Sequence, residues 1–153
     1  MAEARTSEGL SKLADLIAGI EFAMLTTVGD DGLLRSRPMT TLDGDVEEGL
    51  FFFVSRTGAL VRDIRAERDV NVSYADPRGM RFVSVAGRAS LVDDRALMQR
   101  LWKAAYRAYF PNGLGDPDLA LLAVTIEEAG SWDAASSRLV AIAELSSPAR
   151  GLV

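Results

Sequence analysis

The feature that most restricts the fold of this chain is its succession of short apolar segments separated by turn signals. The segments are rich in β-branched and aromatic residues, and most are too short for a helix. Six or seven of them lie at 21–28, 33–42, 50–55, 70–75, 80–92, 119–128 and 130–134. Because turns join several of them directly, neighbouring strands are expected to pair as antiparallel hairpins. The pattern predicts a mainly β fold, an antiparallel six- to seven-stranded β-barrel with peripheral α-helices.

The segments between these strands predict the peripheral helices. Apolar residues recur at helical spacing within 7–20, 56–67 and 93–109. Ser7 is expected to cap the first helix, and Asp93 or Asp94 the third. The last segment, 136–153, is predicted to be a C-terminal helix or extension outside a barrel core of about residues 8–135.

Two residues predict irregularities in the strands. Pro38 lacks the N–H that a sheet ladder needs, so the second strand is expected to be at an edge, or irregular, near that point. Gly87 interrupts the long alternating strand 80–92, where a bulge or bend is expected. The length of 153 residues fits one domain spanning 1–153.

The absence of cysteine and histidine from the sequence excludes several classes of chemistry. Disulfide frameworks, thiol nucleophiles, zinc sites of the usual ligand types and imidazole acid–base catalysis all need one of these residues. A Ser–His–Asp hydrolase is excluded for the same reason. We therefore assign no catalytic residue and no metal site, and expect any reaction to depend on carboxylates, hydroxyls, arginines or a bound cofactor.

The charge and hydropathy of the chain restrict its partners. A net charge of −5 and a pI near 4.8 argue against a nucleic-acid-binding surface. No apolar run approaches the roughly 18 residues that span a bilayer. The N-terminal stretch also lacks a basic segment followed by an apolar core. We therefore expect a cytoplasmic protein with no nucleic-acid or membrane partner.

The stretch DGLLRSRPMTTL, residues 31–42, places two arginines on one face of the second strand. Arg35 and Arg37 are two residues apart, so their guanidinium groups project side by side. Like charges in that arrangement cost stability unless an anion lies opposite them. Two interpretations stay open: a pocket for an anionic ligand such as phosphate, or a solvated face paired with the acidic loop 43–49.

The Ser-Arg-Thr turn at the end of the third strand also offers donors to an anion. Ser55, Arg56 and Thr57 lie where backbone N–H groups converge before the next helix. The alternative is an ST-turn that caps that helix. Both interpretations can hold together.

The order of these motifs resembles that of the pyridoxamine 5′-phosphate oxidase-like FMN-binding split barrels, and it is most similar to their general stress protein 26 branch. In chain order the motifs are RSRPM, LFFFVS, VRDI, VNVSYAD, FVSVAGRASLV, FPNGLGDPD and SWD. The resemblance runs from about residue 8 to about residue 135 and rests on order and spacing. It implies a homodimeric split barrel that holds FMN in clefts between its two subunits.

The resemblance also implies which residues hold the cofactor. Arg37 would bind the FMN phosphate, and Ser36, Pro38 and Met39 would line the flavin ring. Val54 and the Ser-Arg-Thr turn would supply a second phosphate-binding segment. Trp132 would pack at the flavin from the partner subunit, or be an interface aromatic. The implied set is Arg35, Ser36, Arg37, Pro38, Met39, Val54, Ser55, Arg56, Thr57 and Trp132.

Aromatic residues form two further groups in the sequence. Phe51, Phe52 and Phe53 are expected in the core, because they lie in the most apolar strand. A second group is interpreted as packing of the third helix, with a lid over the cofactor cleft as the alternative. It comprises Trp102, Tyr106, Tyr109 and Phe110.

Two departures from the family pattern narrow the expected function. Ala59 and Leu60 stand where the resemblance implies a polar residue and a lysine for the phosphate. Arg56 or Arg62 would then act as substitutes; otherwise FMN would bind weakly, or the pocket would take a different ligand. The sequence also lacks the C-terminal arginines and histidine that pyridoxamine phosphate oxidation uses. We expect an FMN-binding, stress-related oxidoreductase rather than a true pyridoxamine phosphate oxidase. The alternatives are a deazaflavin-dependent reductase and a non-enzymatic flavin-binding stress protein.

Overall fold

A computed structural model describes the backbone of residues 2–144 and the side chains of residues 7–143. Its helices and strands are α1 (Ala2–Ile17), β1 (Phe22–Val28), β2 (Leu34–Thr40), β3 (Leu50–Ser55), α2 (Ala59–Ala66), β4 (Asp69–Asp76), β5 (Arg81–Val92), α3 (Arg95–Leu101), β6 (Leu119–Asp133) and β7 (Arg138–Glu144). Short 3-10 turns lie at Val46–Glu48, Ala104–Ala108 and Gly113–Gly115. None of the helices in this described part is long and apolar enough to cross a membrane.

The strands form one curled antiparallel sheet, which confirms the predicted split-barrel fold. The strand order is β2-β1-β4-β5-β6-β3, and β7 pairs with β6. β6 is long enough to serve two partners on one side: residues 119–124 pair with β3, and residues 128–133 pair with β7. The other side of β6 pairs with β5 from Leu121 to Ser131.

β3 separates two hydrophobic clusters because alternate side chains of a strand point to opposite faces. Phe52 and Val54 belong to the main core, which α1 and α2 cover. Phe51 and Phe53 belong to a second cluster under α3 and the aromatic segment after it. Each of the three phenylalanines is at most 5% exposed, as expected from the sequence.

The two predicted strand irregularities are confirmed. Pro38 lies in β2, an edge strand of the sheet, where its missing N–H costs no ladder hydrogen bond. The register of β5 against β6 shifts between Ala86 and Gly87, which makes a bulge. A Cβ at Gly87 would lie 2.4 Å from the carbonyl oxygen of Thr125, so the close approach of the two strands requires glycine there.

The helix ends differ from two expectations. α1 begins at Ala2, so Ser7 lies inside the helix and does not cap it. Asp94 caps α3 by accepting a hydrogen bond from the Leu97 N–H at 3.0 Å, but α3 ends at Leu101 instead of continuing to Tyr109. The backbone of Trp102 is extended, and this break directs the following aromatic side chains onto Phe53.

The C-terminal part of the sheet also differs from the sequence prediction. The segments 119–128 and 130–134 are one strand, β6, with an irregularity between Ala129 and Gly130. The segment after 135 was expected to be a helix or an extension outside the barrel. Residues 138–144 instead form strand β7, which pairs with β6. Residues 145–153, which the same expectation covered, lie outside the described residues.

Candidate functional site

An apolar cleft of about 300 Å³ lies between edge strand β2 and the aromatic segment that follows α3. One wall consists of Phe22, Pro38, Met39 and Thr40, and Leu42 lies beside it. The opposite wall is aromatic and comprises Phe53, Tyr106, Tyr109 and Phe110. The volume is at the lower end of the roughly 300–1,000 Å³ of small-molecule pockets, and flat apolar walls suit a planar ring.

The aromatic wall is built around Phe53. Its ring centroid lies 5.3 Å from that of Trp102, 6.1 Å from Tyr106 and 6.5 Å from Phe110. These edge-on and tilted contacts hold the wall in place. Tyr109 is 58% exposed at the mouth of the cleft. Trp102, Tyr106 and Phe110 pack against the second cluster, beyond the end of α3. Tyr106, Tyr109 and Phe110 line the cleft, and their action as a lid stays a prediction.

Arg37 forms a hydrogen-bonded group with Thr27 and Asp63. Its Nη1 donates to Thr27 Oγ1 at 2.7 Å, and its Nη2 donates to Asp63 Oδ2 at 3.1 Å. Thr27, which is fully buried, donates to the same Asp63 oxygen at 2.9 Å. Desolvation alone would raise the pKa of Asp63, but the hydrogen bonds from Thr27 and Arg37 outweigh it and lower the pKa. The group ties β1, β2 and α2 together.

Arg35 is also paired with a carboxylate of the protein. It makes two parallel hydrogen bonds to Asp31, of 3.0 Å and 2.7 Å, across the β1–β2 turn. These bonds, together with the Leu33 N–H, hold the pKa of Asp31 well below its ordinary value. The expectation that the acidic loop 43–49 would pair with these arginines is wrong, because the turn and α2 supply nearer carboxylates. Asp43 in that loop pairs with Lys103 instead.

The Ser-Arg-Thr turn binds a carboxylate of the protein at the position where the sequence predicted the phosphate of a ligand. Ser55 Oγ donates to Asp118 Oδ2 at 2.5 Å. The Thr57 backbone N–H and hydroxyl donate to Asp118 Oδ1 at 3.1 Å and 2.9 Å. The Arg56 N–H donates to the carbonyl of Asp118 at 2.7 Å. The hydrogen bonds from Ser55 and Thr57 lower the pKa of Asp118, so its carboxyl is charged at neutral pH.

The start of α2 offers no side-chain cation to an anion in this turn. Gly58 is the N-cap and makes no side-chain cap, Ala59 is exposed, and Leu60 is buried in the main core. Arg56 is partly buried beside Asp118, and its charge contributes to the lowered pKa of that residue. Arg62 is exposed on the next turn of α2.

Trp132 lies at a second cleft, of about 470 Å³, which is lined by residues of β4, β5, β6 and β7. Its register partner is Leu139 in β7, and Phe82 also lines the cleft. Phe22 and Met24 on β1 expose further apolar surface on the same face, since Met24 pairs with Ser73 and Ser73 with Ser84. We call this surface, defined by Phe22, Met24, Phe82, Trp132 and Leu139, the outer sheet face.

The structure brings together a small part of the cofactor set that the resemblance implies. Pro38 and Met39 share the apolar cleft. Ser36 bonds to Thr26 at 2.7 Å, and Val54 is buried in the main core. Arg35 and Arg37 pair with carboxylates. Ser55 and Thr57 donate to Asp118, and Arg56 lies beside it. Trp132 lines the second cleft.

Two residues that determine the electrostatics of this region were not recognised in the sequence. Asp63 is one of several charged residues on an ordinary amphipathic helix, and Asp118 lies in a loop rich in aspartate, glycine and proline. Asp118 reaches Ser55 across 63 positions of the chain. Nothing in the local pattern signals such a pairing.

The architecture defines the class of protein as a split β-barrel. The chain belongs to the pyridoxamine 5′-phosphate oxidase-like family: the sequence model described as "Pyridoxamine 5'-phosphate oxidase like" matches residues 8–149. This match confirms the family that the order of the motifs indicated.

Individual relatives agree with this assignment. The chain is similar to the general stress FMN/FAD binding protein of Xanthomonas citri, with 30% identity, a TM-score of 0.69, and coverage of 83% of this chain and 89% of that one. A Clostridium acetobutylicum protein related to general stress protein 26 shares the fold, with a TM-score of 0.74, 20% identity, and coverage of 86% of this chain and 92% of that one.

A curated relative is larger than this chain. Protein bli-3 of Neurospora crassa is 27% identical over 118 residues, which cover 74% of this chain and 55% of that protein. The chain thus spans about half the length of the curated relative that it matches.

Proposed function

We propose that this protein binds a flavin, with the isoalloxazine ring in the apolar cleft between β2 and the aromatic wall. The cleft itself carries the proposal, because its lining is mainly apolar and one of its walls is aromatic. The Xanthomonas citri relative, a general stress FMN/FAD binding protein, supports it. A bound flavin supplies hydride or single-electron transfer. The residues of this chain would orient the ring and limit its contact with water.

The two ends of FMN fit this site unequally. The ring end fits the cleft beside Pro38, Met39 and Phe53. The phosphate end does not fit the Ser-Arg-Thr turn, since its donors already bind Asp118. The arginines of β2 have carboxylate partners as well. We therefore assign only the ring of the flavin to this cleft.

A flavin titration tests the proposal, with Tyr109→Ala as the informative variant. We expect the purified protein to quench or polarise flavin fluorescence on binding. Tyr109→Ala should weaken binding about five- to tenfold, the value of one aromatic contact of about 1–1.5 kcal/mol. Because Tyr109 is 58% exposed, its loss should leave the fold intact.

Met80→Ala is the matched control for this titration. Met80 is also a large exposed apolar residue, but it lies in the β4–β5 turn and does not line the cleft. We expect its affinity for flavin to equal that of the unmodified chain. The proposal fails if neither riboflavin nor FMN binds, or if the two variants behave alike.

An oxidoreductase role is part of the proposal, as is the cytoplasmic location. Anaerobic addition of NADH or NADPH to the flavin-loaded protein should bleach the flavin absorbance if the protein is an oxidoreductase. A bound flavin that stays oxidised would favour a flavin-binding stress protein without catalysis. Preference for a deazaflavin in competition titrations would favour a deazaflavin-dependent reductase. Oxidation of pyridoxamine phosphate is not proposed.

We also propose that the protein is a homodimer whose interface is the outer sheet face. Phe22, Met24, Trp132 and Leu139 are 40–51% exposed there, an unusual concentration of large apolar side chains. Phe22 belongs to this face and also lines the apolar cleft. A second copy on this face would therefore help to close the cleft, as in a cofactor site between subunits.

Trp132→Asp is expected to convert the dimer to a monomer. A charge in the centre of an apolar interface loses the burial energy and leaves an unpaired carboxylate. Light scattering should show about twice the 16.5 kDa chain mass for the unmodified protein and one chain mass for the variant. Met80→Asp, in the β4–β5 turn, is the control and should stay dimeric. A monomeric unmodified protein would refute the proposal.

A further inference from the structure

The donors that could bind an anionic ligand near the apolar cleft already bind carboxylates of the protein. β3 leads from Phe53, in the wall of the cleft, to the turn that begins at Ser55. In that turn two hydroxyls and one backbone N–H converge on a single point, which is the arrangement that binds an oxyanion. The point is taken by the carboxylate of Asp118.

The two arginines of β2 are neutralised in the same way. Arg35 and Arg37 belong to the strand that contributes Pro38 and Met39 to the cleft. Asp31 pairs with the first arginine at 2.7 Å, and Asp63 pairs with the second at 3.1 Å. Among the described residues that line the cleft, none carries a charge. The net charge of the whole chain is −5.

A phosphate dianion entering the Ser-Arg-Thr turn would therefore meet a charged carboxylate. It would have to displace Asp118 from three hydrogen bonds or accept repulsion at close range. The charge of Arg56 lies beside Asp118 and is already partly compensated by it. A ligand with an apolar or neutral ring and no phosphate meets none of these costs.

We propose that the cleft selects flavins and similar planar ring systems that lack a terminal phosphate, with Asp118 as the residue that determines this specificity. The inference rests on the proposed flavin binding and deepens it by naming the ligand class. Riboflavin is the probe for a ring without phosphate, and FMN is the probe for the same ring with a phosphate.

Parallel fluorescence titrations of the unmodified protein separate the outcomes. We expect riboflavin to bind at least as tightly as FMN. If FMN binds ten or more times more tightly than riboflavin, which is roughly what one charge-assisted phosphate contact would provide, this inference is overturned and flavin binding stands. If neither ligand binds, both proposals are overturned.

Asp118→Asn tests the residue itself. The substitution keeps the size of the side chain and removes its charge, so the affinity for FMN should rise relative to riboflavin by about three- to tenfold. Asp15→Asn, an exposed change on α1, is the control and should leave the ratio of the two affinities unchanged. An unchanged ratio in Asp118→Asn, measured on a variant with an unaltered circular dichroism spectrum, would contradict the inference.

Salt dependence provides a measurement that needs no variant. A phosphate held by Arg56 or Arg62 would make FMN binding weaken between about 0.05 and 0.5 M NaCl, where the screening length falls roughly threefold. We expect FMN to gain nothing over riboflavin at the lower salt concentration. A loss of affinity with salt that is specific to FMN would show that arginines recognise the phosphate, and would overturn the inference.

Discussion

Replacement of Phe53 by alanine is expected to lower the free energy of unfolding by about 3–5 kcal/mol. Phe53 is 5% exposed, and three aromatic rings pack around it at centroid distances of 5.3–6.5 Å. Alanine would leave a cavity under the segment after α3, which cannot collapse because β3 is paired with β6. Urea or thermal unfolding followed by circular dichroism measures the effect.

The same substitution should abolish flavin binding, because the aromatic wall would lose its support. Phe53→Leu separates the two effects, since leucine retains most of the apolar volume and loses only the ring contacts. We expect Phe53→Leu to lose less than half as much stability as Phe53→Ala. Tyr109→Ala, on the exposed edge of the same wall, should change stability by no more than about 0.5 kcal/mol. Equal stability of Phe53→Ala and the unmodified chain would show that the wall does not pack as described.

Asp63→Ala is expected to reduce the free energy of unfolding by about 1.5–3 kcal/mol at neutral pH. The side chains of Asp63 and Arg37 are 17% and 26% exposed, so the guanidinium would stay mostly desolvated without its carboxylate. Buried Thr27 would also lose the acceptor of its hydroxyl. Asp15→Ala, an exposed change on α1, serves as the control and should be nearly neutral.

The stability difference caused by Asp63→Ala should depend on pH. The pKa of Asp63 is lowered in the folded state from an ordinary value of 3.8. Its contribution is therefore fully present above about pH 5, and it is lost as the pH falls through the folded pKa, below 3.8. Unfolding curves of the unmodified protein and the variant should converge at the acidic end. A difference that grows below pH 4 would contradict the assignment.

Arg37→Ala distinguishes a structural role of this arginine from a ligand-binding role. If Arg37 mainly holds Asp63 and Thr27, its loss should destabilise the fold about as much as Asp63→Ala, and the double variant should lose less than the sum. If Arg37 held a phosphate instead, its loss would leave stability unchanged and weaken FMN selectively. The hydrogen bonds of 2.7 Å and 3.1 Å favour the first result.

Much of the fold could be predicted because its signals are local. The apolar run of β3, the alternation in β4 and β5, the edge position of Pro38 and the bulge at Gly87 all follow from side-chain chemistry within a few residues. The cap at Asp94 is local too. The wrong expectations about the third helix and β6 concern how far each element continues along the chain. The third helix breaks at Trp102 and β6 continues through Gly130, since packing on Phe53 and pairing with β5 override the local preferences.

The candidate site could be predicted only in part. The sequence placed Pro38 and Met39 beside a possible ring, and they do line the apolar cleft. It also marked the arginines of β2 and the Ser-Arg-Thr turn as groups that need an anion. Each of those groups except Arg56 has a carboxylate of the protein as its partner at hydrogen-bond distance, and phosphate binding by them stays a prediction.

The class of fold follows from the sequence alone, since apolar periodicity and turn residues act along the chain and need no distant partner. The anion that those donors meet depends on the tertiary fold. Asp63 lies 26 positions from Arg37, and Asp118 lies 63 positions from Ser55. Coulomb attraction and hydrogen bonding depend on distance in space, and only the folded sheet brings these residues together. The sequence motifs predict a phosphate site, but in the folded protein their donors bind carboxylates of the same chain.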